Sequence, residues 1–312
     1  MTLSPSPTGR QFTITHGDQE AVITERGAAL RCYRVGDRDV VVPFGADELP
    51  PSMHGAILLP WPNRLADGHY RFDGGTYQLP ITEPARHVAN HGLVHSVAWR
   101  LVGHSDSHVE LALDLLPVPG YPFRLDVHLH YRLTDDGLTV RLSATNDGER
   151  RAPYGVGFHP WLSPGTASVD ECRLQVDAAS WLRTDDRLLP VAAEALPADR
   201  DFSTARVLGA IRLDDGYGSA TYRDGKSWAR LTAPDGSTAA AWMERPLGYW
   251  QVCTGDFKEA GRYRRTGVAT EPMSCPANAF VSRQDLAVIE PGATHTVFWG
   301  LRLEGGSRGT PA

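Results

Sequence analysis

The sequence predicts an all-β protein. Many short segments alternate apolar and polar side chains, which is the pattern of strands with one buried face. Turn-forming residues are abundant, with 31 glycines and 23 prolines among 312 residues. Few segments show helical periodicity. Short alternating segments separated by turns are typical of β-sandwiches and barrels.

The predicted strands follow one another along the chain. The clearest of them cover residues 11–15, 21–25, 39–43, 110–116, 124–133 and 138–145. Each places apolar residues at every second position. Between the last two, Asp135, Asp136 and Gly137 form a compact hairpin signal, because an Asp-Gly pair suits tight turns.

One domain is expected to contain nearly all of these strands. Sandwiches and barrels often exceed about 200 residues as one unit, and 41% hydrophobic residues supply a substantial core. We therefore expect a single domain over residues 10–304, with flexible tails at 1–9 and 305–312.

Charge and hydropathy exclude several kinds of partner. The formal net charge is −6, with 31 basic and 37 acidic residues and no long basic run, which argues against nucleic acid. No apolar stretch reaches membrane-spanning length, and the amino terminus lacks the features of a signal peptide. A cytoplasmic protein is expected, and the sequence does not set its oligomeric state.

Neither cysteines nor histidines show a metal-binding pattern. The cysteines are far apart and are interpreted as small buried hydrophobes: Cys32, Cys172, Cys253 and Cys275. His87, His91 and His95 have the spacing of one helix face, but Gly92 and the alternation after it argue against a helix. We predict no metal and no cofactor.

The segment 154–161 carries a histidine among glycines and aromatic residues. His159 precedes a proline, which favours extended geometry on or beside a strand. The glycines allow a close approach of backbone or ligand, and Trp161 offers flat apolar surface nearby. The alternative is a core histidine with its hydrogen bonds satisfied inside a sheet.

Two further segments carry chemistry-bearing side chains. Glu271 precedes a proline in an apolar, β-branched run, so it is expected to be extended and shielded, with a pKa shifted towards that of a general base. Arg64 supplies a rigid fork of donors, and His91 lies beside a glycine. The alternatives are a buried salt bridge for Glu271, a surface ion pair for Arg64 and a solvated turn for His91.

Residues 61–80 resemble the aldose 1-epimerase, or galactose mutarotase-like, family, with an Asn-Arg pair followed by Gly, an aromatic residue, Gly, Tyr and Leu. The resemblance covers roughly residues 10–304. The other matching segments follow in the family's order: His91-Gly92, 157–161, 212–214 and 270–272. Leu93, where galactose-specific members carry a second glycine, places the chain nearer the divergent bacterial branch.

The resemblance implies a fold and a reaction. The fold is a large antiparallel β-supersandwich with the ligand in a groove across one sheet. The reaction interconverts the α and β anomers of a free aldose, which requires a base at the anomeric hydroxyl and an acid at the ring oxygen. The family's motifs assign Glu271 as the base, His159 as the acid and His91 as a second imidazole near the ring oxygen.

The resemblance also implies the sugar-binding residues. Arg64 and Asp214 hold ring hydroxyls, and Asn63 supports the arginine. Because Asp215 follows directly, either aspartate is a candidate for the hydroxyl ligand. Trp161 is the first candidate for stacking on the sugar, although an ordinary core position is the alternative.

The sequence leaves more than one substrate and more than one class of function open. A neutral aldohexose is favoured. A sulfonated or phosphorylated sugar would need an added cation, for which Arg86 and Arg124 are candidates. A non-catalytic carbohydrate-binding protein would not need His91, His159 and Glu271 together, and a glycoside hydrolase would need a pair of carboxylates.

Overall fold

Strands are the main secondary structure of the protein. The computed structural model describes residues 6–305. The strands of the first half are β1 (Gln11–His16), β2 (Gln19–Thr24), β3 (Leu30–Val35), β4 (Arg38–Asp39), β5 (Ile57–Leu58), β6 (Arg64–Ala66), β7 (His69–Phe72), β8 (Gly75–Gln78), β9 (Val88–Asn90), β10 (Arg100–Ser105), β11 (His108–Leu115), β12 (Leu125–Thr134) and β13 (Gly137–Asn146).

The second half continues the same pattern. Its strands are β14 (Ala152–Tyr154), β15 (Gly157–Phe158), β16 (Trp161–Leu162), β17 (Arg173–Val176), β18 (Ala178–Thr184), β19 (Pro190–Ala195), β20 (Arg206–Val207), β21 (Asp214–Ala220), β22 (Lys226–Thr232), β23 (Thr238–Glu244), β24 (Tyr249–Cys253), β25 (Val268–Met273), β26 (Ala287–Ile289) and β27 (Thr294–Glu304). The helical segments are one short α-helix, α1 (Ala279–Ser282), and 3₁₀ turns at Pro51–Met53, Pro84–Arg86, Val169–Glu171 and Lys258–Tyr263.

Two large sheets organise these strands. A nine-stranded sheet has the order β10-β11-β12-β13-β27-β23-β22-β17-β20. An eight-stranded sheet has the order β19-β18-β21-β24-β25-β15-β5, with β16 also paired to β25. Neighbouring strands within both sheets run antiparallel. The predicted all-β supersandwich is therefore confirmed.

The core lies between the two sheets. Phe158 on β15 packs against Trp299 on β27, with ring centroids 5.0 Å apart. The Trp250 indole on β24 donates to the Ser227 hydroxyl on β22 at 3.0 Å. One hydrophobic cluster extends from Phe12 near the start of the chain to strand β27, so both sheets share one core.

Strict alternation is clearest in the β12–β13 hairpin. Val127, Leu129 and Tyr131 are fully buried, whereas the residues between them are partly exposed. The predicted turn is present, because Thr134 pairs with Gly137 across the hairpin end. Gly137 has φ 110°, which favours glycine.

The predicted strand at 39–43 extends less far than expected. Strand β4 ends at Asp39. The amides of both Val40 and Val41 contact the Tyr33 carbonyl, and the Val42 amide donates to the Trp161 carbonyl at 2.8 Å. The chain therefore leaves the β3 ladder here and crosses towards β16.

The predicted tails lie mostly outside the described residues. Residues 1–5 and 306–312 are not described. Residues 6–9 are packed, since Thr8 is fully buried and its carbonyl accepts from the Arg26 amide at 2.9 Å. Within residues 6–305, no helix is long and apolar enough to cross a membrane.

Candidate active site

One cavity gathers the residues predicted to form the site. Its volume is about 220 Å³. Grooves of about 520 and 740 Å³ lie elsewhere on the described surface, but no buried carboxylate lines either one. The cavity is lined by all of the predicted site residues: Asn63, Arg64, His91, His159, Trp161, Asp214 and Glu271.

Glu271 and His159 form a buried pair in this cavity. The His159 Nε2 atom lies 3.3 Å from Glu271 Oε1. Glu271 lies in the middle of β25, and His159 lies in the connection between β15 and β16, which both pair with β25. The sheet therefore positions the imidazole beside the carboxylate. Glu271 Oε2 and His159 Nδ1 are buried and have no hydrogen-bond partner within the described chain.

Burial shifts both groups of the pair towards their neutral forms. Burial, reinforced by the charge of Asp214 and opposed by Arg64, raises the pKa of Glu271 well above its ordinary value. Burial, with the nearby His54, lowers the pKa of His159 to about 3. Both shifts favour a pair in which the carboxyl carries a proton and the imidazole offers an acceptor.

His91 is held in an unusual backbone conformation. Its φ is 62°, in the left-handed region. The main-chain amide of Asn63 donates to His91 Nδ1 at 3.3 Å, and the main-chain amide of His91 donates to the main-chain carbonyl of Asn63 at 3.0 Å. Since Nδ1 accepts, the proton of the neutral ring lies on Nε2. Burial, with the charges of His159 and Arg64, lowers the pKa of His91 well below its ordinary value.

Gly92 fixes the turn that carries His91. Its φ is 74°, and a Cβ at this position would lie 2.1 Å from the Leu59 carbonyl oxygen. We expect Gly92→Ala to destabilise the protein by about 1–3 kcal/mol. Urea unfolding measures the loss. Gly74→Ala is the control, because Gly74 has φ 77° but no atom within 4 Å of the added Cβ. Equal losses in the two variants would contradict the role of the Leu59 contact.

Arg64 is fixed between two carboxylates. Its Nε donates to Glu83 at 2.9 Å, and a terminal nitrogen lies 3.3 Å from Asp214 Oδ2. Burial acts to lower the pKa of Arg64, but the charges of Asp214 and Glu83 outweigh this effect, so the pKa is raised overall. The side-chain amide of Gln251 donates to the other carboxylate oxygen, Asp214 Oδ1, at 2.8 Å. The guanidinium and the carboxylate therefore have defined orientations at the cavity wall.

The structure separates the two neighbouring aspartates. Asp214 lines the cavity, whereas Asp215 does not. Successive residues of a strand point to opposite faces. Accordingly, Asp215 Oδ1 accepts from the Trp181 indole at 2.7 Å and lies 3.4 Å from Arg200.

Asn63 supports Arg64 through the main chain. Its Oδ1 accepts from the Arg64 amide at 2.8 Å, and no hydrogen bond joins it to the guanidinium in the described residues. Its φ of 56° places it, like His91, in the left-handed region. Asn63 thus orients both the start of β6 and the His91 ring.

Trp161 offers little surface to a ligand. It is only 2% exposed. The His54 ring stacks on it at 4.7 Å with an interplanar angle of 10°, and the indole donates to the Ser52 carbonyl at 3.2 Å. Its stacking on a sugar stays a prediction, because most of its surface is packed against other side chains.

Several lining residues were missed by the sequence analysis. Phe257 lines the cavity and is 39% exposed, so it offers more aromatic surface than Trp161. It lies in a polar stretch where one aromatic residue carries no periodic signal. Glu83 was also missed, although it precedes Pro84 just as Glu271 precedes Pro272. That repeated carboxylate–proline pattern was an available signal.

Comparison with known proteins agrees with the fold and identifies the family. A model of the aldose 1-epimerase family matches residues 10–301. The uncharacterized protein YihR of Escherichia coli K12 is 34% identical over 296 residues, covering 94% of this chain and 93% of that protein. The aldose 1-epimerase of the same organism is 28% identical over 174 residues, about half of each chain (52% and 48%).

The fold has close structural counterparts. The crystal structure of the GalM/aldose epimerase homologue from C. elegans aligns with a TM-score of 0.83 at 17% identity, covering 95% of this chain and 98% of that one. At this identity the likeness concerns the fold, while the family match and the YihR relationship concern the sequence. The chain belongs to the aldose 1-epimerase family, whose members are mutarotase-like sugar epimerases.

Proposed function

We propose that this protein interconverts the α and β anomers of a free, neutral aldohexose. The observation that carries the proposal is the buried Glu271–His159 pair, with 3.3 Å between Nε2 and Oε1, in a cavity of about 220 Å³. This volume is below the roughly 300–1,000 Å³ of sites for drug-sized ligands, so it suits one monosaccharide. The unpartnered buried atoms Glu271 Oε2 and His159 Nδ1 support a ligand that supplies hydroxyl groups.

The proposed reaction needs one proton to leave the sugar and one to enter it. Glu271, as carboxylate, removes the proton from the anomeric hydroxyl while His159, as imidazolium, protonates the ring oxygen. The C1–O5 bond breaks, and C1 becomes an aldehyde. Rotation about C1–C2 presents the other face, and the reverse transfers close the ring. In this proposal the neutral pair contains the one proton that the cycle requires. Hydrogen bonds from the sugar hydroxyls favour its transfer from Glu271 to His159, which forms the active charge state.

The remaining polar residues orient the sugar. His91 keeps its proton on Nε2, because Nδ1 accepts from the Asn63 amide. It therefore donates a hydrogen bond near the ring oxygen and stabilises charge that develops there. Arg64 donates to ring hydroxyls, and Asp214 accepts from them, since each is already oriented by fixed partners.

The charge around the cavity favours a neutral sugar. The lining cation Arg64 is already paired with Glu83 and Asp214. Arg86 is paired with Glu83 and does not line the cavity, while Arg124 lies 3.0 Å from Asp147 on another part of the surface. No unpaired lining arginine or lysine is therefore found within residues 6–305 to meet a sulfonate or phosphate.

Glucose 6-phosphate is expected to react with a kcat/KM at least about tenfold lower than glucose, because the cavity offers its phosphate no unpaired cation and is lined by the carboxylates of Glu83 and Asp214. Relaxation of optical rotation for the free sugars and NMR exchange between anomeric signals for the phosphate ester measure the two values. Added salt should narrow the difference. Equal or faster turnover of a phosphorylated or sulfonated sugar would favour the charged-substrate alternative.

The other function classes fit the geometry less well. A glycoside hydrolase using Asp214 with Glu271 would need Asp214 free to act as acid or nucleophile, but Arg64 and Gln251 hold both of its oxygens. A carbohydrate-binding protein without catalytic activity would have no use for the buried acid–base pair of Glu271 and His159. Binding of a hexose without faster anomer exchange would support that second class.

A further inference from the structure

A second group of ionisable side chains lies on the outer face of the nine-stranded sheet. His108 and Glu110 lie on β11, and His128 and His130 lie on β12. Residues two apart on a strand share a face, and Glu110 pairs directly with His130 across the two strands. The alternate residues, such as Leu129, are buried in the core, so this group faces outward.

The side chains of this group converge. His130 Nε2 lies 3.4 Å from Glu110 Oε1, and His108 Nε2 lies 3.3 Å from His130 Nδ1. His128 Nδ1 lies 2.7 Å from the same Glu110 oxygen. One ligand atom each from His108, Glu110 and His130 lies within 4.8 Å of the others.

We propose that His108, Glu110 and His130 bind one divalent transition-metal ion, for which zinc is the suitable probe. Imidazole nitrogen and carboxylate oxygen are ligands that zinc prefers, and at bond lengths of about 2.0–2.1 Å a tetrahedral ion separates its ligand atoms by about 3.3–3.4 Å. His130 meets Glu110 through Nε2 and His108 through Nδ1, whereas one ion takes a single nitrogen from each ring, so the side chains must rotate to bind it. The rings and the carboxylate are partly exposed, which leaves room for these rotations. Water from the solvent side completes the coordination.

Two neighbouring side chains affect metal binding at this site in opposite directions. His128 adjoins Glu110 and has its second nitrogen 3.5 Å from Asp126, so it is a candidate fourth ligand with an orienting carboxylate. Arg141 approaches His130 Nε2 at 2.8 Å and competes with an ion for that nitrogen. Because Arg141 is exposed on β13, its side chain is free to swing into solvent when the ion binds.

The position of the site defines its role. The group lies on the nine-stranded sheet and faces away from the core, whereas the Glu271–His159 pair lies on the eight-stranded sheet. The ion therefore takes no part in proton transfer to the sugar. It links β11 to β12 and stabilises the folded state, since a ligand that binds only the native protein raises its stability by mass action.

The test is a calorimetric titration of zinc chloride into tag-free, chelator-treated full-length protein. We expect one saturable site, at least about tenfold weaker in His130→Gln and in Glu110→Gln. His69→Gln is the matched control, because His69 is exposed on β7 outside the group, and it should bind zinc as the wild type does. Arg141→Gln should bind more tightly, because the competing guanidinium is gone.

Two results would overturn the assignment. One is the lack of saturable binding by the wild type, and the other is binding by His130→Gln as tight as that of the wild type. Zinc should also raise the Tm of the wild type but not that of His130→Gln. Hexose mutarotation should be the same with zinc or chelator, whereas its loss with chelator would place the ion in the cavity. A protein that binds zinc through His130 but does not catalyse hexose mutarotation would contradict the proposed function and leave the metal site supported.

Discussion

Glu271→Gln is expected to lower kcat for hexose mutarotation by about 10²–10⁴-fold, the usual contribution of a general base. Gln keeps the size of the side chain and its place on β25 but cannot accept the anomeric proton. KM should change little, because Arg64 and Asp214 still hold the ring hydroxyls. Glu290→Gln is the control and should leave kcat unchanged, because Glu290 is exposed and does not line the cavity.

The same substitution should stabilise the folded protein. The pKa of Glu271 is raised in the folded state by burial, so the wild type loses stability as pH rises from the unfolded value of 4.5 through the folded pKa. Gln does not titrate and escapes this loss. The Tm of Glu271→Gln should therefore be close to that of the wild type at acid pH and exceed it increasingly towards alkaline pH. A variant less stable than the wild type at alkaline pH would contradict the buried, neutral carboxyl.

His159→Gln is expected to lower kcat by about 10²–10³-fold, because the ring oxygen loses its proton donor. The loss should be smaller than for Glu271→Gln, since the His91 Nε2–H group remains as a hydrogen-bond donor to that oxygen. The double variant should be only slightly slower than Glu271→Gln, because residues that act as a unit are not additive.

The pH profile of kcat/KM tests the pair directly. The wild type should lose activity on the acid side near pH 3, where His159 takes up a second proton, because its pKa is lowered to about 3. It should lose activity on the alkaline side as pH passes the raised pKa of Glu271 and the pair gives up its last proton. In His159→Gln the acid-side loss near pH 3 should disappear. A wild-type profile that falls near pH 6.5 instead would indicate an ordinary, solvated histidine.

The local sequence pattern was sufficient to predict those features of the fold and the site that depend on neighbouring residues. The alternation over 124–133 places Val127 and Leu129 in the core and gives β12 within one residue at each end. The proline after Glu271 indicated an extended, shielded carboxylate, and the structure has Glu271 buried within β25. In both cases the signal lies within a few residues of the feature.

Features that depend on strand pairing could not be obtained in this way. The choice between Asp214 and Asp215 is decided by which face of β21 covers the cavity, and that depends on its pairing with β24. Gln251 orients Asp214 only because β24 lies beside β21. The low exposure of Trp161 depends on His54, more than a hundred residues earlier in the chain.

The outer histidine group shows the same limit. His108 and His130 are separated by 22 positions in sequence and meet only through the register of β11 and β12. In the sequence, the spacing of His87, His91 and His95 suggests a helix face instead. The structure places His87 at the end of a 3₁₀ turn and His91 after β9, so these three residues share no helix.

The measurement that tests the central claim most directly is the relaxation of optical rotation after pure α-D-glucose or α-D-galactose is dissolved in low-phosphate buffer. Wild-type protein, Glu271→Gln and Glu290→Gln are compared at equal concentration. The wild type and Glu290→Gln are expected to accelerate relaxation of at least one of these sugars, and Glu271→Gln is not. Relaxation at the uncatalysed rate with wild-type protein, or equal acceleration by Glu271→Gln, would contradict the central claim.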